Sequence, residues 1–208
     1  DKCGAENGDV ILIVADKKDL TLSVLGSLRQ IVAKKLDIIP EDKYNLLWVV
    51  EFPFFEWNEE TNHWDAMHHP FTMPLQECLE YLESDPGQVR AECYDMVLNG
   101  TELLSGSIRI TDPELQAQMF RALGLSDEEA EQKFGFLTGA FRYGAPPHGG
   151  MGIGLDRLVM QMIGADSLRD VIAFPKLQNA SEPMTECPSP VDTLQLDELG
   201  IAIKEIEE

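Results

Sequence analysis

The apolar residues of this chain fall into two patterns, continuous short runs and stripes at helical spacing. The continuous run at residues 10–15 predicts a buried strand, and the run at residues 46–52 predicts a second strand. The stripes predict helices at residues 24–36, 113–123, 130–141 and 155–163. Capping boxes at residues 111–114 and 126–129 mark where two of these helices begin. The pattern therefore predicts an α+β fold (α/β in broad terms), with residues 194–208 as a terminal acidic helix.

Asn99-Gly100 is the strongest hairpin signal in the chain. A two-residue loop there pairs Val97 with Glu102 and Asp95 with Leu104, which brings Asp95 and Glu102 to one face of the sheet. Two unpaired carboxylates would repel each other, and a hard cation such as Mg²⁺ would remove the repulsion. The alternative is that one of them simply faces solvent.

Arg109 adds a constraint on this hairpin. Glu102 and Arg109 differ by an odd number of positions, so a regular strand sends their side chains to opposite faces. If both line one pocket, the strand between them must bulge or break. We predict such an irregularity near residues 105–106.

Residues 148–176 combine four closely spaced glycines with a helical stripe that ends at Gly164. The pattern predicts a glycine-rich strand that leads into a buried helix. Arg157 falls in the first turn of that helix, where a cation beside free backbone N–H groups suits a phosphate-bearing ligand. The alternative is a tightly packed glycine strand with Arg157 merely solvated.

The adjacent histidines His68 and His69 fall in a segment that returns from a polar turn at residues 58–62. In a strand they would point to opposite faces, so at most one could face a given ligand. A zinc site needs more ligands than this segment supplies. The alternative reading is a hydrogen-bonded structural pair.

Composition narrows the class of protein further. Of the 208 residues, 16 are basic and 37 acidic, and the net charge of −21 repels nucleic acid overall, so any such contact must be local. The four cysteines are scattered without a CxxC pair, which argues against a zinc ribbon. No signal peptide or long apolar run is present, so we expect a cytoplasmic protein with no membrane partner.

Three separated motifs resemble those of class II aminoacyl-tRNA synthetases, and within that class the bacterial-type aspartyl-tRNA synthetases. Residues 148–176 resemble motif 3, in which a Gly-Leu-Asp-Arg run opens a helix. Residues 68–72, His-His-Pro-Phe-Thr, match a family signature. Residues 95–110 match the strands that lie between this signature and motif 3 in the family's sequences. The resemblance runs from about residue 9 to residue 189.

The resemblance implies ATP and Mg²⁺ as cofactors and roles for particular residues. Arg157 corresponds to the catalytic arginine that contacts the ATP phosphates, and Asp95 and Glu102 to the acidic residues that hold the magnesium. Arg109 corresponds to the arginine that binds the side-chain carboxylate of L-aspartate, with His68 at the same pocket. Residues implied for ATP binding are Glu102, Gly154, Leu155, Asp156 and Arg157. The chain departs from the family at Thr101, where an aromatic residue is usual, and at Leu104 and Ser105, where glycines are expected.

The family's organisation implies two domains. Residues 1–43 resemble the C-terminal part of an inserted α/β (GAD-like) domain, and residues 44–208 the C-terminal part of the catalytic domain, an antiparallel sheet flanked by helices that is incomplete here. No Arg-Asp-Glu run, the core of motif 2, occurs in the chain. We therefore expect the C-terminal part of a synthetase that is inactive alone.

The implied function is that of an aspartate–tRNA ligase, which activates aspartate with ATP and passes it to tRNA. Contacts with tRNA(Asp) and homodimer formation would belong to the full-length enzyme. Two alternatives stay open: another class IIb synthetase of the asparaginyl type, and a non-catalytic synthetase-like binding or regulatory protein.

Overall fold

The computed structural model describes residues 3–40 and 43–204, which form two compact units that meet in sequence at Tyr44 and Asn45. The assignment of the first unit to an inserted domain stays a prediction. Within the described residues, no helix is long and apolar enough to cross a membrane.

In its described residues, the first unit contains one helix, α1 (Lys18–Lys35), which confirms the helix expected from the apolar stripe. The predicted buried strand at residues 10–15 is wrong, because this segment is unpaired and its side chains are exposed, with Val10 82% and Ile13 84% accessible. A strand needs a partner for its N–H and C=O groups, and residues 3–40 contain no other strand.

The second unit contains the remaining regular elements. Its strands are β1 (Leu46–Val50), β2 (Phe55–Asn58), β3 (His63–Ala66), β4 (Cys93–Leu98), β5 (Thr101–Ile108) and β6 (Gly149–Ile153). Its α-helices are α2 (Pro113–Ala122), α3 (Asp127–Phe141), α4 (Leu155–Ile163) and α5 (Thr193–Leu199). Short 3₁₀ helices lie at Gln76–Tyr81, Pro86–Gln88 and Leu168–Asp170.

Four of these strands form one antiparallel sheet in the order β1-β4-β5-β6, and β2 and β3 form a separate hairpin. An antiparallel sheet accompanied by helices confirms the predicted fold class. The hydrophobic core is formed mainly by the segments that follow β1 and β3, together with residues at the ends of the β4–β5 hairpin and Met119 of α2. Its buried residues are Phe54, Phe55, Cys78, Leu82, Val89, Ala91, Cys93, Ile110 and Met119.

Helix ends follow local chemistry. Ser126 and Glu129 form the predicted capping box at the beginning of α3. At α2 the cap is Asp112 and not Thr111, because the Asp112 carboxylate accepts hydrogen bonds from two backbone N–H groups of the first turn. The predicted terminal helix is confirmed only as α5, and its last residues, 205–208, lie outside the described part of the chain.

Helix α4 ends, as predicted, at Gly164, whose φ of 66° is left-handed. The expectation that this helix is buried is wrong, since Leu155 is 69% and Met162 70% exposed. Its apolar stripe is real, but within the described residues little packs against it.

Candidate functional site

The β4–β5 hairpin carries the acidic residues of the candidate site. Asn99 and Gly100 have φ values of 48° and 83°, which is the left-handed pair that a tight two-residue hairpin loop needs. Val97 pairs with Glu102 as predicted, but the next pair is Met96 with Leu104, so Leu103 has no partner on β4. The predicted pairing of Asp95 with Leu104 is therefore wrong by one residue, and Asp95 pairs with Ser105.

The extra residue Leu103 is a β-bulge. It explains how Glu102 and Arg109, an odd number of positions apart, can face the same side of the sheet. An irregularity between Glu102 and Arg109 is confirmed, but it lies at Leu103 and not at residues 105–106. Because the bulge absorbs one residue, Glu102 and Ser105 share the face of Asp95. Arg109 lies an even number of positions beyond Ser105, in an isolated bridge to Thr72, so the alternation of side chains brings it to the same face.

Arg157 reaches this face from the first turn of α4. Its Nη1 donates hydrogen bonds to the backbone oxygen of Glu102 at 2.9 Å and to Glu102 Oε1 at 3.2 Å. Gly154, at the beginning of the same helix, donates its N–H to Leu103 O at 2.9 Å. The two residues at the bulge therefore hold both the beginning of α4 and its arginine.

A cleft of about 300 Å³ opens between the bulge and α4. Of the residues predicted to bind ATP, Glu102, Gly154, Asp156 and Arg157 line this cleft, whereas Leu155 does not. Asp95 does not line it either, and lies one strand away on the same face. The remaining lining residues are Leu103, Leu104, Ser105, Gly152 and Leu168.

The glycines of this region have two different physical roles. A Cβ atom on Gly106 would overlap the carbonyl oxygen of Gly150, and one on Gly149 would come within 2.9 Å of Ser107 O, so packing excludes side chains there. A Cβ on Gly150 or Gly152 would meet nothing within 4 Å. By register, Gly150 and Gly152 are on the face of Ser107 and Ser105. Packing therefore does not require glycine at these two positions. The open space above them could instead be filled by a ligand that approaches the backbone closely.

The carboxylates of Asp95 and Glu102 are ligands of the type that a hard cation prefers. Asp95 and Glu102 supply oxygen donors, and Mg²⁺ binds through one or two carboxylates together with waters and substrate phosphates. In the described part of the chain, no group of three or more histidines, cysteines or acidic residues is close enough to hold a metal without such additional ligands. Burial, together with the neighbouring Asp95, raises the pKa of the Cys93 thiol to about 11, so this cysteine stays a neutral part of the core.

Arg109 contacts a histidine that the sequence reasoning missed. Its Nη1 lies 3.0 Å from His69 Nδ1 and also contacts Nε2. His68, the predicted pocket residue, instead packs edge-on against Phe52 with ring centroids 5.3 Å apart. Burial and the Arg109 cation lower the pKa of His69. The alternation rule could not choose between the histidines, because both follow the end of β3 at Ala66 and neither lies in a strand.

The chain is similar to known proteins both in sequence and in structure. Residues 15–178 match the family described as tRNA synthetases class II (D, K and N). The chain is 59% identical over 199 residues to the aspartate–tRNA ligase of Ruminiclostridium cellulolyticum, covering 96% of this chain and 34% of that protein. It is 54% identical to the aspartate–tRNA(Asp/Asn) ligase of Geotalea uraniireducens, covering 95% of this chain and 33% of that protein.

Among solved structures, the aspartyl-tRNA synthetase of Entamoeba histolytica superposes with a TM-score of 0.50 at 26% identity. The match covers 85% of this chain and 30% of that one. The chain thus spans about a third of the length of the curated relatives that it matches.

Proposed function

We propose that this chain, which belongs to the class II tRNA synthetases for aspartate, lysine and asparagine, is the part of an aspartate–tRNA ligase that binds ATP and L-aspartate. The observation that carries the proposal is the pairing of Arg157 with Glu102 beside the open glycines of β6. The chain spans only about a third of its relatives, so the activity, substrates and partners of the complete enzyme form part of the proposal.

The cleft next to α4 is proposed to receive the triphosphate of ATP. Arg157 supplies a cation at the N-terminal end of a helix, where backbone N–H groups and the helix dipole also favour an anion. The space above Gly150 and Gly152 lets a ligand approach the backbone closely. A guanidinium in this position stabilises negative charge as it develops on a transferring phosphoryl group.

Asp95 and Glu102 are proposed to hold the magnesium ion that accompanies ATP. Their oxygen donors fit such an ion, which when bound would neutralise phosphate charge during the transfer. Glu102 now accepts a hydrogen bond from Arg157, and the two side chains are only 49% and 42% exposed. A cation bound to the Glu102 carboxylate would compete with Arg157 for it, and the guanidinium could then turn toward the phosphates of ATP.

Arg109 is proposed to bind the side-chain carboxylate of L-aspartate, with His68 at the same pocket. Its planar guanidinium can donate two parallel hydrogen bonds to the two oxygens of a carboxylate. A side-chain amide such as that of asparagine has one oxygen and cannot accept such a pair. With the amino acid held in this way, an oxygen of its α-carboxylate attacks the α-phosphorus of ATP. The bond from that phosphorus to pyrophosphate breaks and aspartyl-adenylate forms. A hydroxyl at the 3′ end of tRNA then attacks the aspartyl carbonyl carbon, and AMP leaves.

A chimera provides the test of this function. Replacing the matching third of the R. cellulolyticum relative with this chain should give a protein that catalyses aspartate-dependent ATP–pyrophosphate exchange. Arg157→Gln in the chimera should lower the exchange rate about a hundredfold, whereas Arg121→Gln, which removes an exposed arginine paired with Glu83, should not. Exchange that depends on asparagine, or a folded chimera without exchange, would refute the proposal.

The specificity for tRNA has a second candidate. The G. uraniireducens relative is named as a ligase for both tRNA(Asp) and tRNA(Asn), so this chain is a candidate part of either kind of enzyme. An asparaginyl enzyme is the weaker alternative, because Arg109 favours an anionic side chain over a neutral amide. A non-catalytic binding protein is tested by the same exchange assay.

The setting of the complete enzyme is also proposed. We expect a cytoplasmic homodimer in which tRNA contacts are local, since the net charge of this chain is −21. We further expect the 208-residue chain to show no exchange activity alone.

A further inference from the structure

The turn at residues 69–72 is fixed to the strand that carries Arg109. Phe71 O accepts a hydrogen bond from Ile110 N at 2.9 Å, and Met73 N donates to Ile108 O at 2.8 Å. The backbone of Thr72 forms an antiparallel bridge with Arg109 itself. This anchored turn and the arginine are therefore a single hydrogen-bonded unit.

Helix α2 and two phenylalanine rings, one from α2 and one from α3, also contact this turn. Gln116, which is 1% exposed, donates from Nε2 to Pro70 O at 2.8 Å. The ring of Phe71 packs edge-on against Phe120 and Phe134, with centroids 6.3 Å and 5.3 Å away. His69 is consequently presented to Arg109 from a hydrogen-bonded and packed support, whereas the ring of His68 packs against Phe52.

Hydrogen-bond donors surround one edge of the His69 ring. Phe71 N donates to His69 Nδ1 at 3.2 Å, and Arg109 Nη1 lies 3.0 Å from the same atom. Nη1 also lies against Nε2, closer than it lies to Nδ1. An imidazolium has no lone pair with which to accept a bond at either nitrogen, so this arrangement requires a neutral ring. Thr72 Oγ1 lies 3.3 Å from Nε2.

Arg109 keeps the rest of its guanidinium available. Across residues 3–40 and 43–204, its hydrogen bonds to other residues through the side chain all use Nη1 and all go to His69. Nε and Nη2 therefore remain for a carboxylate, and two of the guanidinium nitrogens suffice for a bidentate pair. His69 and a bound carboxylate can contact the arginine at the same time.

We infer that neutral His69 is a positioning residue for Arg109, which it holds by accepting a hydrogen bond from Nη1 at its unprotonated ring nitrogen, so that the free side of the guanidinium faces the substrate carboxylate. The inference rests on the proposed function for the identity of that carboxylate. The groups that face His69 are the Arg109 cation, the adjacent His68 and the neutral Thr72 hydroxyl. The Arg109 cation and the burial of the ring both oppose protonation of His69.

The coupling between the two residues can be measured without any ligand. The side-chain NMR signals of the four histidines, assigned by single substitutions, give the pKa of His69 in the 208-residue chain. Arg109→Gln should raise that pKa toward its ordinary value, because a facing cation is removed while burial remains. Arg121→Gln, a surface control paired with Glu83, should leave it unchanged. A His69 pKa that is the same in the Arg109→Gln variant and the parent chain would overturn the inference.

Calorimetric titration with L-aspartate then tests the positioning role. His69→Ala should weaken the affinity about tenfold, as expected for the loss of one charge-assisted hydrogen bond. His69→Asn retains an acceptor near Nδ1 and His69→Gln one near Nε2, and one of the two should restore the affinity to within about threefold. Equal affinity in the parent and the His69→Ala variant, or a loss in both amide variants equal to that in His69→Ala, would overturn the inference. Absence of binding by the parent chain would count against the proposed function, while the His69 titration still decides the inference.

Discussion

At the scale of single residues, we expect Glu102, which pairs with Arg157, to matter for ATP binding but little for the stability of the fold. Both side chains are about half exposed, so the ion pair contributes less than about 1 kcal/mol to folding. Glu102→Gln should therefore leave the thermal midpoint nearly unchanged but weaken Mg²⁺-dependent ATP binding about tenfold or more. Calorimetry and thermal unfolding measure the two effects.

The pair formed by Arg121 and Glu83 is a matched control. Its side chains are 46% and 52% exposed, close to the values for Arg157 and Glu102, but they lie outside the cleft. Glu83→Gln should alter neither ATP binding nor the thermal midpoint. Equal ATP affinity in the Glu102→Gln and Glu83→Gln variants would contradict the assigned role of Glu102.

Two glycines give a second prediction at this scale. Gly152→Ala should not lower the thermal midpoint, since its new methyl group meets open space, but it should weaken ATP binding by filling the cleft. Gly106→Ala should lower the midpoint by several degrees, because its methyl group would collide with the backbone of Gly150 and the ring of Tyr94. Thermal unfolding that ranks these variants in the opposite order would show that the glycines have been assigned the wrong roles.

At the scale of elements, the bulge at Leu103 connects the hairpin to α4. Leu103→Ala removes a side chain that is 4% exposed, and it should cost about 2–4 kcal/mol of unfolding free energy while the bulge remains. Deletion of Leu103 removes both the side chain and the bulge. We expect it to abolish ATP binding, because Gly154 loses the Leu103 carbonyl oxygen to which it bonds and the backbone at Glu102, the partner of Arg157, is rearranged.

Denaturant unfolding and calorimetry together distinguish the two variants. The alanine variant should be destabilised but able to bind ATP, and the deletion variant should be unable to bind it at temperatures where it is still folded. ATP binding by the folded deletion variant would show that the bulge has no part in forming the site.

The elements also show what local sequence can and cannot predict. Asn99-Gly100 predicted the hairpin and the pairing of Val97 with Glu102, because the φ values that a tight loop demands are a local property. Strand parity predicted an irregularity but not its place, since the position of a bulge depends on how Leu103 and its neighbours pack. The run at residues 10–15 failed as a strand, because hydrophobicity alone does not supply a pairing partner.

The candidate site shows the same limit. Motif resemblance pointed to Glu102 and Arg157, which the structure brings into contact. It pointed to His68 rather than His69, because the anchored turn that presents His69 depends on bonds to Ile110 and Gln116, more than 35 residues away in the chain. Contacts between segments so far apart have no signature in a single sequence.

At the scale of the whole molecule, the sheet face opposite Asp95 exposes apolar side chains in both of its edge strands, β1 and β6. Trp48 and Ile153 lie in one cross-strand row and are 53% and 55% exposed, while Val50 and Met151 lie in the next at 56% and 57%. An exposed apolar patch of this kind favours association. We therefore predict that the 208-residue chain self-associates with increasing concentration.

Sedimentation equilibrium tests this prediction. Trp48→Lys should weaken self-association, because it replaces an exposed apolar side chain of this face with a charge. Tyr143→Lys changes the net charge equally at a site that is 95% exposed and outside the sheet, and should leave self-association unchanged. A monomeric parent chain, or equal weakening by both substitutions, would contradict the assignment of this face.

The central claim is that Glu102, Asp95, Arg109 and Arg157 surround one site for a triphosphate and a small acid. Calorimetric titration of the 208-residue chain with a non-hydrolysable aspartyl-adenylate analogue and Mg²⁺ tests it most directly, because one ligand spans both halves of the site. We predict binding of one equivalent, weakened about tenfold or more by Arg109→Gln and by Arg157→Gln, and unchanged by Arg121→Gln. No binding by the parent chain, or an arginine variant of the site that binds as tightly as the parent, would contradict the claim.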